Sequence, residues 1–174
     1  MILNYLIKVV SCKDQVGMIE FVENSETTEA IHKQGGAFGA LKQNTIWEFL
    51  KKHNPENKDL DAAKENFLKS CAGYCVATYV LGIGDRHSGN IMLTTSGHLF
   101  HIDFGHFLGN YKKKFGIKRE RDPFVFTSEM VYVFGGKDAL NFKNFEEICT
   151  QAYNLVRKHG NFLISLFKMM VSAG

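Results

Sequence analysis

The sequence predicts a single α+β domain in which helices predominate and one small β hairpin carries a cluster of polar residues. Apolar residues recur at helical spacing along residues 59–81 and 142–159, and residues 161–172 form a further apolar run. Two short β-rich runs, 90–93 and 99–102, flank the turn residues 95–97, which is the pattern of a hairpin. A chain of 174 residues without internal repeats is one domain's worth and can bury a sizeable core.

The longest predicted helix covers residues 59–81 and is expected to be buried on all sides towards its end. The apolar spacing that predicts it runs through Leu60, Ala63, Phe67, Cys71, Cys75 and Tyr79. Residues 44–53 suit a short helix, and Thr127 or Ser128 is expected to cap another that ends near Val133. The four cysteines contain no C-x-x-C pair, and Cys71 and Cys75 are interpreted as small core residues.

The remaining segments are predicted to be strands, bends and one loop. Residues 5–11 and 17–22 are expected to be strands, Ser25 to cap a helix over 25–31, and 35–39 to bend. Residues 104–126 show no clear periodicity and are expected to form a loop. If the hairpin turn is centred between Ser96 and Gly97, Asn90 faces Asp103; a register slip of one residue is the alternative.

The ends of this hairpin carry residues that suit phosphoryl transfer. Asn90 begins one strand, Asp103 follows the other, and Asp85 and His87 precede the hairpin. An amide and a carboxylate oxygen are ligands for Mg²⁺ on a nucleotide, while a nearby base or acid orients the attacking hydroxyl. The residues therefore indicate a kinase active site, or the remains of one.

These motifs resemble those of the phosphoinositide 3- and 4-kinases. Asp85 and Asn90 have the D-x-x-x-x-N spacing of a kinase catalytic loop, and residues 103–105 match its metal-binding Asp-Phe-Gly. The histidine follows the aspartate, as in that family, and the block 70–87 narrows the resemblance to phosphoinositide 3-kinases. The similarity covers about 17–174. It implies a mostly helical, protein-kinase-like C-lobe with a catalytic loop at 84–91 and an activation loop at 103–127.

The resemblance also implies roles for the polar residues. Asn90 and Asp103 would bind Mg²⁺, with Mn²⁺ as an alternative. His87 would be the base for the inositol hydroxyl or would stabilise the transferred phosphoryl group, since its usual pKa lies near working pH. Asp85 is the alternative proton acceptor and His106 a second candidate.

Two further expectations concern the catalytic loop itself. Arg86 is expected to anchor the loop or neutralise charge, because a guanidinium is always protonated and makes a poor base. Gly89 is expected to loosen the loop.

The nucleotide implied by the family is ATP, bound beside a linker at about 17–25. Its adenine ring would hydrogen-bond to the backbone at Glu20 and Val22, above an apolar floor. The residues assigned to this site are Ile19, Glu20, Val22, Ser25, Met92 and Ile102.

A basic segment follows the metal-binding aspartate. The net charge of residues 112–122 is 6 − 2 = +4, against +3 for the whole chain. Its cations are Lys112, Lys113, Lys114, Lys118, Arg119 and Arg121. They resemble the two basic boxes of class I phosphoinositide 3-kinases and suit a headgroup bearing 4- and 5-phosphates, or an anionic membrane surface. Residues 127–130 and 151–158 resemble class II instead, and class I is preferred.

The remaining features of the sequence bear on the cellular location and the binding partners of the protein. No apolar run reaches the roughly 20 residues needed to span a bilayer, and no signal peptide is present, which favours a cytoplasmic protein recruited peripherally to the plasma membrane or endosomes. Nucleic acid is disfavoured, since no stacking aromatics accompany a broad basic face.

A kinase N-lobe is not expected within this chain, because only about sixteen residues precede the linker and no G-x-G-x-x-G motif is present. The expected partners are therefore a phosphoinositide, the rest of the kinase polypeptide (N-lobe and helical domain) and a regulatory subunit. The isolated chain is expected to have little activity. A protein kinase of the same superfamily and a non-catalytic fragment that binds lipid or regulators are the alternatives.

Overall fold

The computed structural model describes residues 7–12, 16–36, 39–111, 113–114, 117–118 and 122–172, with backbone alone at 113–114 and 117–118. The helices are α1 (Thr28–Gln34), α2 (Thr45–His53), α3 (Asn57–Val80), α4 (Ser128–Val133), α5 (Leu140–Lys158) and α6 (Gly160–Ser172). The strands are β1 (Val9–Ser11), β2 (Gly17–Ile19), β3 (Ser25–Thr27), β4 (Ile91–Thr94), β5 (Leu99–His101), β6 (Lys113–Lys114) and β7 (Ile117–Lys118). The prediction of a mostly helical α+β domain is confirmed.

Helix α3 forms the centre of the core. Every residue from 70 to 76 is buried, so this part of the helix contacts protein on all sides, as its apolar sequence predicts. One side packs against α5 and another against β5. Cys71 and Cys75 are free and buried here, which confirms that they act as small core residues.

An aromatic cluster joins α4 and α5 to this core. The ring of Phe126 stacks on Phe145 with a centroid distance of 4.7 Å, and Phe134 lies 5.2 Å from Phe145. Together with Phe67, these rings fill the space beneath the segment that leads into α4. Helix α6 is apolar but buries none of its described residues, and the side chain of Phe162 is 63% exposed.

The three-stranded antiparallel sheet has the order β3-β4-β5. The prediction that Ser25 caps a helix is wrong, because residues 25–27 pair with β4 instead. The first helical residue is Thr28, and the hydroxyl of Thr27 accepts the backbone N–H of Ala30 at 3.1 Å. Backbone hydrogen bonding to β4 favours a strand at these residues, and their local sequence does not indicate this pairing.

The hairpin of β4 and β5 exists as predicted, but its register is one residue away from the expected one. Ile91 pairs with His101, and the N–H of Ile102 donates to the carbonyl of Asn90 at 3.0 Å. Asn90 therefore lies opposite Ile102 and not opposite Asp103. The turn is fixed by Gly97, which has φ +91° and where a Cβ would lie 2.1 Å from the carbonyl oxygen of Ala63 on α3.

The basic segment folds back on itself within the region expected to be an irregular loop. Lys113 pairs with Lys118 and Lys114 with Ile117 in a two-residue antiparallel ladder. Lys112, Arg119 and Arg121 lie outside the described residues, as do residues 5–6 of the first predicted strand and 37–38 of the predicted bend. Among the residues described, none of the helices combines the length and the apolar character needed to cross a bilayer.

Candidate functional site

The catalytic-loop segment, residues 84–91, connects the end of α3 to β4. Asp85 has φ +58°, a left-handed conformation that is uncommon for a residue with a side chain, and it is buried. Residues 88–90 then form a single 3₁₀ turn, in which the N–H of Asn90 donates to the carbonyl of His87 at 2.8 Å. Such strained backbone is typical of functional sites, where the surrounding contacts hold it in place.

Arg86 connects this loop to the residues that follow β5. Its guanidinium is buried and donates to the carbonyls of Gly84 at 2.8 Å and Ile102 at 2.7 Å, and to that of Asp103. A longer bond of 3.4 Å reaches the carbonyl of Asn90. The guanidinium carbon also lies 5.4 Å from the centre of the Phe104 ring. Through these contacts Arg86 joins Gly84 to the residues that follow β5, and its anchoring role stays a prediction.

Asn90 precedes β4 and Asp103 follows β5, so both lie at the open end of the hairpin, opposite its turn. The amide nitrogen of Asn90 donates to the carbonyl of Asp85 at 3.0 Å, which directs its oxygen away from that bond. Asp103 is exposed, has φ +57°, and accepts the N–H of Gly105 on Oδ1 at 3.3 Å. One amide oxygen and one accessible carboxylate are suitable ligands for a divalent cation that also binds phosphate oxygens. No group of three or more His, Cys, Asp or Glu within the described ranges forms an additional metal site.

The contacts of His87 define which ring nitrogen carries the proton. The N–H of Gly89 donates to Nδ1 at 3.1 Å, so Nδ1 is an acceptor and a neutral ring carries its hydrogen on Nε2. Nε2 lies 4.0 Å from Oδ2 of Asp85, and about half of the side chain is exposed. His87 therefore presents a donor to an approaching substrate unless the bond from Gly89 breaks.

Gly89 makes room for this ring. A Cβ at Gly89 would lie 3.1 Å from the imidazole of His87 and 3.2 Å from a carboxylate oxygen of Glu29. The structure thus offers a packing reason for the glycine, whose effect was expected to be a looser loop.

His106 follows Asp103 by three residues and contacts the catalytic loop through its backbone. Its carbonyl accepts the N–H of Gly84 at 2.8 Å, and its Nδ1 donates to the carbonyl of Asn110 at 3.0 Å. The ring is partly buried, and its Nε2 is then the acceptor nitrogen of the neutral form.

An apolar cavity of about 370 Å³ opens beside Asp103, between the β1–β2 hairpin and the end of α3. Two of the residues assigned to adenine, Ile19 and Ile102, line this cavity, and Met92 lies on the same sheet face as Ile102. Glu20, Val22 and Ser25 are not among its lining residues. The backbone N–H of Glu20 donates to the carbonyl of Lys8 at 2.9 Å, and the hydroxyl of Ser25 donates to that of Val22 at 2.7 Å.

A comparison with known protein families identifies the family of this chain. The sequence model described as "Phosphatidylinositol 3- and 4-kinase" matches residues 4–174, which is nearly the whole chain. The chain belongs to the phosphatidylinositol 3- and 4-kinase family. The resemblance inferred from the catalytic and metal-binding motifs is thereby confirmed, and the helical fold with its small sheets agrees with the C-lobe of such a kinase.

Several curated members of this family are similar to the chain. Phosphatidylinositol 3-kinase 1 of Dictyostelium discoideum is 56% identical over 167 residues, covering 95% of this chain and 11% of the relative. Phosphatidylinositol 3-kinase C2 domain-containing subunit gamma of Rattus norvegicus is 52% identical, covering 91% of this chain and 11% of the relative. The human phosphatidylinositol 4-phosphate 3-kinase C2 domain-containing subunit beta is 51% identical, covering 91% and 10%. The chain spans about a tenth of the length of these relatives.

One residue of this kinase site, His101, had not been singled out from the sequence. It is the last residue of β5, is buried, and stacks on the ring of Tyr74 with a centroid distance of 4.8 Å. Within the described part of the chain its Nδ1 has no hydrogen-bond partner. Its place two residues before Asp103, on the strand face that meets α3, was the only signal that could have drawn attention to it.

We expect His101 to make the kinase lobe sensitive to acid. Burial, with a smaller effect of the Arg86 charge, lowers the pKa of His101 to about 3. Because the unfolded chain binds this proton near pH 6.5, the stability contributed by neutral His101 is complete above that pH and is lost as the pH falls towards 3. The loss is on the order of 1.4 kcal/mol per pH unit between pH 6 and 4. Urea titrations of the wild type and of His101→Phe, which keeps a ring on Tyr74, measure it.

The control for this measurement is His159→Phe, at an exposed histidine. Its pH dependence should match that of the wild type, whereas His101→Phe should lose less stability in acid. Parallel curves for the wild type and His101→Phe would contradict the assignment.

Proposed function

We propose that the full-length protein containing this chain transfers the γ-phosphoryl group of ATP to the 3-hydroxyl of a phosphoinositide. The observation that carries the proposal is the Arg86-anchored arrangement of Asn90 and Asp103 next to Asp85 and His87. The relatives named phosphatidylinositol 3-kinase support the choice of lipid and hydroxyl.

The site residues divide this reaction between them. Asn90 and Asp103 would hold Mg²⁺, which supplies charge neutralisation between the β- and γ-phosphates. Arg86 would hold the two ligands in place through their backbone, because its guanidinium N–H groups donate to the carbonyls of Ile102 and Asp103. The apolar wall of Ile19, Met92 and Ile102 would receive the adenine ring, with the backbone of Glu20 and Val22 as its hydrogen-bonding partners.

His87 and Asp85 would act in the transfer of the proton from the inositol hydroxyl. With Nδ1 occupied by the N–H of Gly89, His87 donates from Nε2 to the phosphoryl oxygens, and the adjacent carboxylate of Asp85 accepts the hydroxyl proton. His87 can serve as the base only if that Gly89 bond opens. His106, whose Nδ1 is bonded to the carbonyl of Asn110, remains the second histidine of the proposed site.

For the lipid substrate we propose phosphatidylinositol 4,5-bisphosphate, converted to the 3,4,5-trisphosphate. The support is the excess positive charge of residues 112–122, since several cations suit a headgroup with two phosphates. Relatives named for phosphatidylinositol 4-phosphate favour a second candidate, a class II-like enzyme that uses phosphatidylinositol or its 4-phosphate. We also propose that the protein is cytoplasmic and is recruited to anionic membranes, with its other domains and a regulatory subunit as partners.

A direct assay tests the reaction. The purified full-length protein is given ATP and Mg²⁺ with liposomes containing each phosphoinositide, beside a mixture of Ser/Thr peptides, and the position of the new phosphate is determined. Labelling at the 3-position of a lipid is expected. Peptide labelling without lipid labelling would identify a protein kinase. The absence of both, together with the absence of ATP binding up to millimolar nucleotide, would indicate a non-catalytic protein.

The lysines of the basic segment test substrate selection. Replacing Lys112, Lys113 and Lys114 with alanine is expected to lower kcat/KM for the 4,5-bisphosphate by about 100-fold or more, since each lost ionic bond is worth about 1 kcal/mol. The value for unphosphorylated phosphatidylinositol is expected to change less than about 3-fold.

The matched control changes Lys51 and Lys52 on α2 and Lys58 on α3 to alanine. It removes the same charge from another part of the chain and should leave the substrate preference unchanged. An equal loss on both lipids after the change at 112–114 would mean that these lysines attract the membrane surface and do not read the headgroup.

A further inference from the structure

The first turn of α1 contacts the catalytic loop directly. The hydroxyl of Thr28 donates to the carbonyl of Ser88 at 2.9 Å, across 60 residues of sequence, and Thr28 is only 5% exposed. Ser88 is the first residue of the 3₁₀ turn and lies between His87 and Asn90. The bond therefore joins a helix outside the catalytic-loop and Asp-Phe-Gly motifs to the short segment that carries His87 and Asn90.

The other end of α1 is fixed to the helix that follows the activation loop. Nε2 of His32 lies 2.8 Å from Oε2 of Glu129 on α4, and both side chains are largely buried. Burial raises the pKa of Glu129, while the bond with His32 opposes this rise. Residue 128, at the start of α4, directly follows the Thr127 cap, whose hydroxyl accepts the N–H of Met130 at 3.4 Å. Helix α1 is thus held between α4 and the catalytic loop.

Through these contacts, α1 can affect the position of the catalytic loop. Kinases stabilise the transferred phosphoryl group mainly by positioning and charge, so small displacements of a metal ligand or donor lower the rate strongly. The 3₁₀ turn has few bonds of its own, and the Thr28 hydroxyl is the contact that ties its first carbonyl to a helix. The carboxylate of Glu29, next along α1, lies against Gly89 of the same turn.

We propose that Thr28 is a positioning residue for the catalytic loop, and that the His32–Glu129 pair holds α1 in place for this role. The inference rests on the proposed lipid kinase function. In this proposal, the contacts of α1 fix the positions of His87 and Asn90 relative to Asp103.

The test uses Thr28→Val in the full-length protein, which keeps the branched shape and removes the hydroxyl. Because one hydrogen bond separates the two proteins, kcat for lipid phosphorylation is expected to fall about 3- to 10-fold with the KM for ATP within about 2-fold. Thr28→Ser, which restores the hydroxyl, should recover most of the rate. Hydrogen exchange at residues 84–91 should be faster in Thr28→Val than in the wild type.

Thr45→Val is the matched control. Thr45 is the first residue of α2, is buried like Thr28, and donates its hydroxyl at 2.8 Å to the carbonyl of Gly39, which is not part of the catalytic loop. It removes the same kind of bond, so its thermal stability should fall similarly, while kcat and exchange at 84–91 stay as in the wild type. Equal kcat losses in Thr28→Val and Thr45→Val would overturn the positioning role.

A double-mutant cycle tests the second half of the proposal. His32→Ala alone should lower kcat, and its effect should shrink when Thr28 is already Val, because both changes release the same helix from the loop. Additive effects would overturn the role of the pair. An inactive wild type would refute the proposed function instead, and the exchange rates at 84–91 would then still decide whether Thr28 orders the loop.

Discussion

Replacing Asp103 with Asn in the full-length protein is expected to lower kcat for lipid phosphorylation by about 10³-fold or more. The change removes the one carboxylate proposed to bind the cation, while the amide keeps the size of the side chain and still offers an oxygen to the N–H of Gly105. Removing a preorganised electrostatic contact from a phosphoryl-transfer site typically costs this much. Initial rates at saturating ATP over a series of Mg²⁺ concentrations measure the loss.

Stability should be nearly unchanged in this variant, because the Asp103 side chain is exposed and the backbone bond from Arg86 remains. Asp138→Asn is the control, since Asp138 is an exposed aspartate on the loop between α4 and α5. It should keep wild-type rates. Near-normal activity of Asp103→Asn, with an unchanged Mg²⁺ dependence, would exclude Asp103 as a metal ligand.

Replacing Arg86 with Lys is the prediction with the second largest effect, because it keeps the charge and removes the planar fork. One ammonium group cannot reach the carbonyls of Gly84, Ile102 and Asp103 together. Buried and partly buried carbonyls left without donors are costly, so we expect the free energy of unfolding to fall by about 2–4 kcal/mol. We expect kcat to fall by about 10²-fold, because Asp103 would lose its fixed backbone.

Thermal unfolding and steady-state kinetics measure these two losses. The control is Arg157→Lys, at an exposed arginine in the last turn of α5, which should change neither. If Arg86 served mainly to neutralise phosphate charge, Lys would largely replace it and stability would be unaffected. That outcome would contradict the anchoring role.

Much of the fold could be predicted because the local pattern and the tertiary environment agree. The apolar spacing of residues 59–81 predicts a helix, and α3 occupies nearly those positions because its residues are buried on several sides at once. Thr127 caps α4 as expected, since an N-cap needs only a hydroxyl and the next turn of the same helix. The hairpin strands were found because turn residues separate two β-rich runs.

Features that depend on distant partners could not be predicted. Residues 25–27 are polar enough to begin a helix, and only the free edge of β4 makes them a strand. The hairpin register lies one residue away from the expected pairing, in a hairpin whose turn packs closely against α3 at Gly97 and Ala63. The proton position on His87 likewise follows from one backbone bond that no motif encodes.

The sequence by itself determined the family, the residue types proposed for the cation and the proton, and the positive charge of the basic segment. These follow from motifs, spacing and charge within one stretch of chain, 70–122, and need no knowledge of what packs against it. Only the tertiary structure decided that Arg86 donates to carbonyls, that His101 is neutral and buried, and that Thr28 reaches Ser88. The physical reason is that hydrogen bonds and desolvation depend on distances between segments, and these distances exist only after α1, α3 and the hairpin have packed together.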